Sequence, residues 1–116
     1  MEYETPVKAR ISKDYEASDP DPLVISAGEK LHVGVNDTTW PAFVRCKNAD
    51  GNEGWVPESF IDRDGDVGIA RVSYSAVELT VTSGDSVLIE KEVGGWYWAT
   101  NEANQSGWIP ADHIQT

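Results

Sequence analysis

Two short stretches of this chain, GWVPESFI at residues 54–61 and GWIPADHI at 107–114, set tryptophan, an aliphatic residue, proline and a further ring at the same spacing. Trp40 and Trp96 stand ahead of them, and carboxylates gather nearby: Glu16, Asp19 and Asp21 before Trp40, Glu78 before Trp96. Flat rings beside carboxylates suit holding rather than bond making. A ligand cation can lie on an indole face while pairing with an acid.

Catalytic patterns are missing. A nucleophile needs a base placed to activate it, and Cys46, the single cysteine, has no patterned histidine beside it. His32 and His113 with that thiol make too few ligands for a structural zinc site. No glycine-rich loop of the phosphate-cradling type is present. The stretch DRDGDVG at 62–68 begins like a calcium loop, but an EF-hand needs Gly at the sixth position and Glu at the twelfth. Those positions are Val67 and Ser73, so the stretch reads as a solvated linker. The sequence predicts no enzyme and no cofactor, and it reads His32 as solvated and Cys46 as an ordinary strand residue.

The formal net charge is −11. Through Ile61 there are 6 basic and 11 acidic residues, and beyond it 3 and 9, so the acidity is shared, −5 and −6. Nucleic acid and anionic membrane surfaces are disfavoured as partners, because both demand clustered Lys and Arg. Basic segments of other proteins would be steered in. No apolar run is long enough to span a bilayer. The opening MEYETPVKAR lacks the apolar core of a signal peptide, which makes the cytoplasm the expected compartment.

The elements that must position these residues come in two copies, a repetition worth testing before anything else. Before Trp40 and Trp96 lie LHVGV (31–35) and VLIEK (87–91), whose alternate residues can line one face of a strand. Each follows a turn with glycine and an acid, SAGEK at 26–30 and TSGDS at 82–86, and before these come LVI (23–25) and LTV (79–81). Each copy opens on a segment ending in tyrosine, ISKDY at Tyr15 and ARVSY at Tyr74. NADGN (48–52) and NEANQ (101–105) read as hairpin loops. With no helical stripe of ten residues and β-branched and aromatic runs throughout, the prediction is all-β, two tandem five-stranded barrels. The expected boundaries are 1–61 for the first, 62–68 for the linker and 69–116 for the second.

This ordered set resembles SH3 domains in tandem. The residues carrying the resemblance are ISKDY, EASDPDP (16–22), LVI, Gly28-Glu29, Trp40 and GWVPESFI, then ARVSY, ELTV (78–81), Gly84-Asp85, WYWA (96–99) and GWIPADHI. The resemblance implies a proline-peptide groove lined in the first copy by Tyr15, Trp40, Trp55, Pro57 and Phe60, with Asp19 and Asp21 beside it. In the second copy it points to Tyr74, Glu78, Trp96, Trp108 and Pro110, with His113 as the final ring. Lys13, Val72 and Pro22 depart from the family pattern. Tyr74 to Leu79 is five positions where Tyr15 to Leu23 is eight, so the second loop is shorter. The expected function is a non-catalytic, adaptor-type module whose first copy binds proline-rich, basic segments. The alternative is an assembly or regulatory piece whose barrels pack together without binding such peptides.

Overall fold

The computed structural model describes residues 2–19 and 21–115. Strands dominate: β1 (Glu2–Ile11), β2 (Val24–Ile25), β3 (Lys30–Asn36), β4 (Phe43–Lys47), β5 (Glu53–Pro57) and β6 (Ile61–Asp64). They continue as β7 (Val67–Ala70), β8 (Tyr74–Ser75), β9 (Ser86–Val93), β10 (Trp96–Asn101), β11 (Ser106–Pro110) and β12 (Ile114–Gln115). The helical pieces are single 3-10 turns, Glu58–Phe60 and Ala111–His113. Each follows the proline of a repeated stretch, where a fixed φ starts a turn and the missing N–H costs no hydrogen bond. The chain is all-β, with two five-stranded sheets as the repeat requires. Among the described residues no helix is long and apolar enough to cross a membrane.

The sheets do not follow the order of the copies. One runs β11-β10-β9-β1-β12 and the other β5-β4-β3-β7-β6, with β2 paired to β8. The opening strand of the first copy, β1, therefore lies between β9 and β12 of the second, in register Val7↔Ile89 and Ile11↔Ile114. In return β7, just ahead of the second copy's ARVSY, lies between β3 and β6, in register Leu31↔Gly68 and Ile61↔Ala70. Two units result: Met1–Pro20 with Val77–Thr116, and Asp21–Ala76. The boundaries expected from the sequence are not those of the folded units, because each copy surrenders its opening arm to the other.

The two arms are interchangeable in backbone terms. In the first unit the Ile11 N–H donates to Asp85 O (2.8 Å), the Gly84 N–H to Ile11 O (2.8 Å) and the Ser12 N–H to His113 O (2.8 Å). The second unit repeats this with Ala70 to Glu29 (2.9 Å), Gly28 to Ala70 (2.7 Å) and Arg71 to Phe60 (2.7 Å). Side-chain size sorts them. Ala9 and Ile11 fill the first core beside Leu79, Val81, Val87, Ile89, Ala99 and Ile109. The matching positions in the second unit hold Gly68 and Ala70. A Cβ on Gly68 would overlap Ile61 Cγ2 and sit 2.9 Å from Val33 Cγ2, so that slot has no room for Ala9. The converse fit would put Ala70 where Ile11 packs, a void costing about 2–5 kcal/mol.

The stretch 62–68, expected as a solvated linker, is instead the turn of the β6–β7 hairpin, paired Asp62↔Ile69 and Asp64↔Val67. Its charged side chains point outward and so read as linker, while Ile61, Gly68 and Ala70 turn inward and are buried. The remaining strands fall where alternation put them. Leu31 and Val33 are buried and His32 is exposed. NADGN closes with the Asn48 N–H on Asn52 O (3.0 Å), and NEANQ with the Asn101 N–H on Gln105 O (2.9 Å).

Candidate functional site

Exchange of the arms decides which rings meet. Tyr15 is pinned to Val81 by paired backbone hydrogen bonds, Tyr15 N–H to Val81 O at 2.9 Å and Val81 N–H to Tyr15 O at 2.8 Å. Its ring meets Trp96 edge to face at 5.9 Å between centroids, 79° between planes, and His113 likewise at 5.4 Å and 82°. Such geometry sets the positive ring edge on the negative face of its neighbour. Tyr15, Trp96 and His113 are each half-buried, so the three rings form a strip with one side open.

Behind that strip stands Glu78. Its Oε1 accepts the Ser18 N–H (2.8 Å) and the Ser18 hydroxyl (2.9 Å), and the Tyr15 hydroxyl lies against it. Burial first, then the adjacent negative charge, pushes the Tyr15 phenol well above its ordinary range, so it stays protonated and donates to that carboxylate. The Ala17 N–H donates to Thr80 Oγ1 (3.0 Å), continuing the arm towards exposed Asp19. Asp14 is tied down, its Oδ1 accepting the Ser83 N–H at 2.7 Å.

The glycine of the repeated motif has its reason here. On Gly107 a Cβ would come within 2.7 Å of the Glu78 carbonyl carbon and of the Leu79 nitrogen. The crossing segment therefore lies directly on it, with the Trp108 N–H on Val77 O (2.9 Å) and the Leu79 N–H on Trp108 O (3.1 Å). Gly54 in the second unit is pressed the same way by Leu23 Cβ at 2.7 Å.

In the second unit Tyr74 takes the place of Tyr15, but it is only 8% exposed. It packs edge to face on Phe60 (5.6 Å, 76°) and donates its hydroxyl to Trp55 O at 3.2 Å. Trp40 and Phe60 are half-buried. Trp55, also half-buried, carries the Arg45 guanidinium over its ring at 5.3 Å, and Arg45 reaches Glu53 at 3.8 Å.

Of the twelve residues singled out in the sequence, the first unit gathers Tyr15, Asp19, Glu78, Trp96, Trp108 and Pro110. Asp21, Trp40, Trp55, Pro57, Phe60 and Tyr74 belong to the second. Of the residues expected to line a groove in the first copy, Tyr15 and Asp19 thus belong to one unit and Asp21, Trp40, Trp55, Pro57 and Phe60 to the other. Pro57 is under 2% exposed and Pro110 is buried, so both brace the floor. Trp108 is 5% exposed, covered by Trp98 (5.2 Å, 69°) and by Lys91, whose Nζ lies 5.8 Å from its ring.

One contributor was underweighted in the sequence. His113, noted there only as a final ring, closes the strip against Tyr15, and its Nδ1 lies 2.7 Å from Asp112 Oδ1. That hydrogen bond leads the causes holding the Asp112 carboxyl below its usual range. The signal was its alignment with Phe60 at the same step of the repeat. Among the described residues no group of three or more His, Cys, Asp or Glu could hold a metal ion. Cys46 is 1% exposed in the second core, and burial raises its thiol to about 11, which leaves it inert as a nucleophile.

Comparison with known proteins fits this geometry. The family model described as variant SH3 domain matches twice, over residues 8–62 and 70–116. Protein nervous wreck of Drosophila melanogaster is 30% identical over 86 residues, covering 64% of this chain and 8% of that protein. Intersectin-1 of Mus musculus and of Homo sapiens are each 25% identical over 122 residues, covering 87% of this chain and 7% of theirs. The chain thus spans less than a tenth of the length of these relatives. Both matched stretches follow the copies as written along the chain, whereas the folded units trade their opening arms.

Proposed function

The chain belongs to the variant SH3 domain family, and from that premise we propose that it is a non-catalytic protein-interaction module binding proline-rich, basic segments along the Tyr15–Trp96–His113 strip. The carrying observation is the open edge-to-face contact of Tyr15 with Trp96 and His113, rings drawn from opposite ends of the chain. A polyproline II segment is extended before it binds, so little ordering entropy is lost, and its ridges fit between flat rings. The net charge of −11 and exposed Glu16 and Asp19 beside the arm favour a ligand carrying Arg or Lys.

The second unit supports the structural alternative better. Tyr74 is buried with its hydroxyl engaged, and Arg45 already covers Trp55. This barrel serves as a brace that receives one arm and lends another.

The test is an NMR titration of the intact chain with a polyproline peptide bearing one terminal arginine. Expected are shifts at the Trp96 indole, Tyr15 and His113, with affinity near micromolar, about 8 kcal/mol. Trp96→Ala should abolish the response while the sheet signals stay in place. Shifts confined to Trp40 and Trp55 would move the function to the other barrel, and no shift in either at millimolar peptide would end the peptide-binding reading.

A further inference from the structure

We propose that the central unit carries a second binding site, a cleft between β3 and the β4–β5 turn that takes a carboxylate side chain of an acidic partner segment between Lys30 and Lys47. It stands apart from the proline-peptide reading, since its residues belong to the other unit and its ligand has the opposite charge.

The central unit holds five Lys and Arg residues, and they fall into two groups. Arg45, Arg63 and Arg71 are ion-paired, with Glu53, Glu58 and Asp62. Lys30 and Lys47 have no side-chain partner among the described residues, and both line one cleft of about 300 Å³. Strand register puts them there. Lys30 and His32 are exposed two residues apart on β3, hence on one face, and Lys47 lies directly across from His32 on β4. Glu53 stands opposite Lys47 on β5 but pairs with Arg45, at 3.8 Å. No carboxylate lines the cleft among the described residues.

The other unit has a matching cleft, also of about 300 Å³, that serves as a control. Ser86, Leu88 and Thr100 take the places of Lys30, His32 and Lys47 there, and Lys8 and Glu102 join them with offsetting charges. The barrel itself therefore does not call for cations at this spot.

The lining says what fits. Two unpaired ammonium groups and an imidazole, beside apolar Leu31, Ala49 and Val67, suit a carboxylate on an aliphatic stem, which is a glutamate in a partly apolar acidic segment. The volume is at the lower limit for a ligand pocket, enough for one or two side chains. Asp50 and Asp66 are exposed on the flanking turns, so an extended anionic surface would meet repulsion that a single inserted side chain avoids. The net charge of −11 opposes approach from a distance, which makes the contact short-ranged and weak.

The test is an NMR titration of the intact chain with end-blocked Glu-Leu-Glu and with its Gln-Leu-Gln counterpart. The glutamate peptide should shift the amides of residues 30–32, 47–49 and 67, with Kd on the order of 0.1 mM at low salt, and leave residues 86–88 still. Lys30→Gln and Lys47→Gln should each weaken it about threefold and the double variant about tenfold. Both positions are exposed, so the sheet signals should stay in place.

Equal shifts from the glutamine peptide, an equal response at residues 86–88, or binding that ignores the double variant would overturn the proposal. Tighter binding of a phosphoserine peptide would overturn it in favour of phosphate, and capture by phosphatidylserine vesicles in favour of a membrane. Shifts at the cleft that grow with protein concentration in the absence of peptide would assign it to a second copy of this chain. No response to the glutamate peptide at millimolar concentration would end it outright. The ring strip is read separately with the arginine-bearing polyproline peptide, so either reading can fail while the other stands.

Discussion

The two barrels use the same motif at the same strand positions and arrive at different surfaces. In the unit built from the chain's two ends, Tyr15 is half-buried, flanked by Trp96 and His113 and backed by Glu78. In the central unit Tyr74 has almost no open surface, its hydroxyl bonded to the Trp55 carbonyl and its ring against Phe60. What separates them is the partner of the phenol. A carboxylate that also holds Ser18 keeps the first tyrosine at the rim. The second tyrosine bonds a backbone carbonyl instead and is buried. Motif identity fixes the barrel, and the partner of the tyrosine received from the other copy fixes how much of that ring stays exposed.

The widest effect comes from substitutions that exploit the exchange of arms. Ile11 belongs by sequence to the copy containing Trp40 but is buried, 1% exposed, in the core of the other unit, with Tyr15 and Tyr97 packed against it. Ile11→Ala should cost about 2–5 kcal/mol and broaden the Trp96, Trp98 and Trp108 signals, while Cys46 stays protected from a thiol reagent. Gly68→Ala works crosswise. It lies in what reads as the linker, yet its new Cβ would collide with Ile61 and Val33. It should destabilise the central unit by about 1–3 kcal/mol and speed Cys46 labelling, with the Trp96 signals little changed. If Ile11→Ala exposed Cys46, or Gly68→Ala proved silent, each arm would belong to its own copy after all.

How far the sequence could carry this is clear from the same residues. Alternation in LHVGV and VLIEK, the Gly-acid turns and the two GW-aliphatic-Pro stretches were enough for the strands and the barrel, because each rests on local periodicity and turn chemistry. The exchange was not legible. Both arms present the same backbone groups to the same slots, and the choice between them comes down to Ala9 and Ile11 against Gly68 and Ala70 in cavities formed by residues far away in the chain. The linker misled for a related reason. Asp62, Arg63, Asp64 and Asp66 are the outward side of a hairpin, and charge density alone does not distinguish that from a tether. The ring contact followed: Tyr15 and Trp96 are 81 positions apart, and nothing in their separate copies says that they touch.

A smaller effect sharpens the contrast between the tyrosines. An unfolded tyrosine ionises near pH 10 (about its reference value), whereas folded Tyr15 is held well above that by burial and by Glu78. Above about pH 10 the unfolded chain has lost a proton that the folded chain keeps, so stability falls as pH rises. Tyr15→Phe removes that slope. At neutral pH the variant should be about 1 kcal/mol less stable for want of the bond to Glu78. In urea unfolding its deficit should shrink and then reverse as pH climbs past about 10. Parallel curves for the two proteins would mean that the phenol does not lean on Glu78.

The smallest expected effect separates cations that look alike. Arg45 lies over Trp55 at 5.3 Å and pairs with Glu53 at 3.8 Å, but the two side chains are 40% and 49% exposed, so water screens the pair. Lys91 sits 6.0 Å from the Trp98 ring and 5.8 Å from that of Trp108, and Trp108 is 5% exposed beneath them. Its ammonium reaches two rings at once, one of them nearly closed to solvent, whereas Arg45 lies over the single half-buried ring of Trp55. Arg45→Ala should therefore cost no more than about 1 kcal/mol and leave tryptophan quenching by iodide nearly unchanged. Lys91→Ala should cost somewhat more and make one additional indole quenchable. Equal costs with equal quenching would show that both cations act through charge alone, and the closed state of Trp108 would then rest on Trp98.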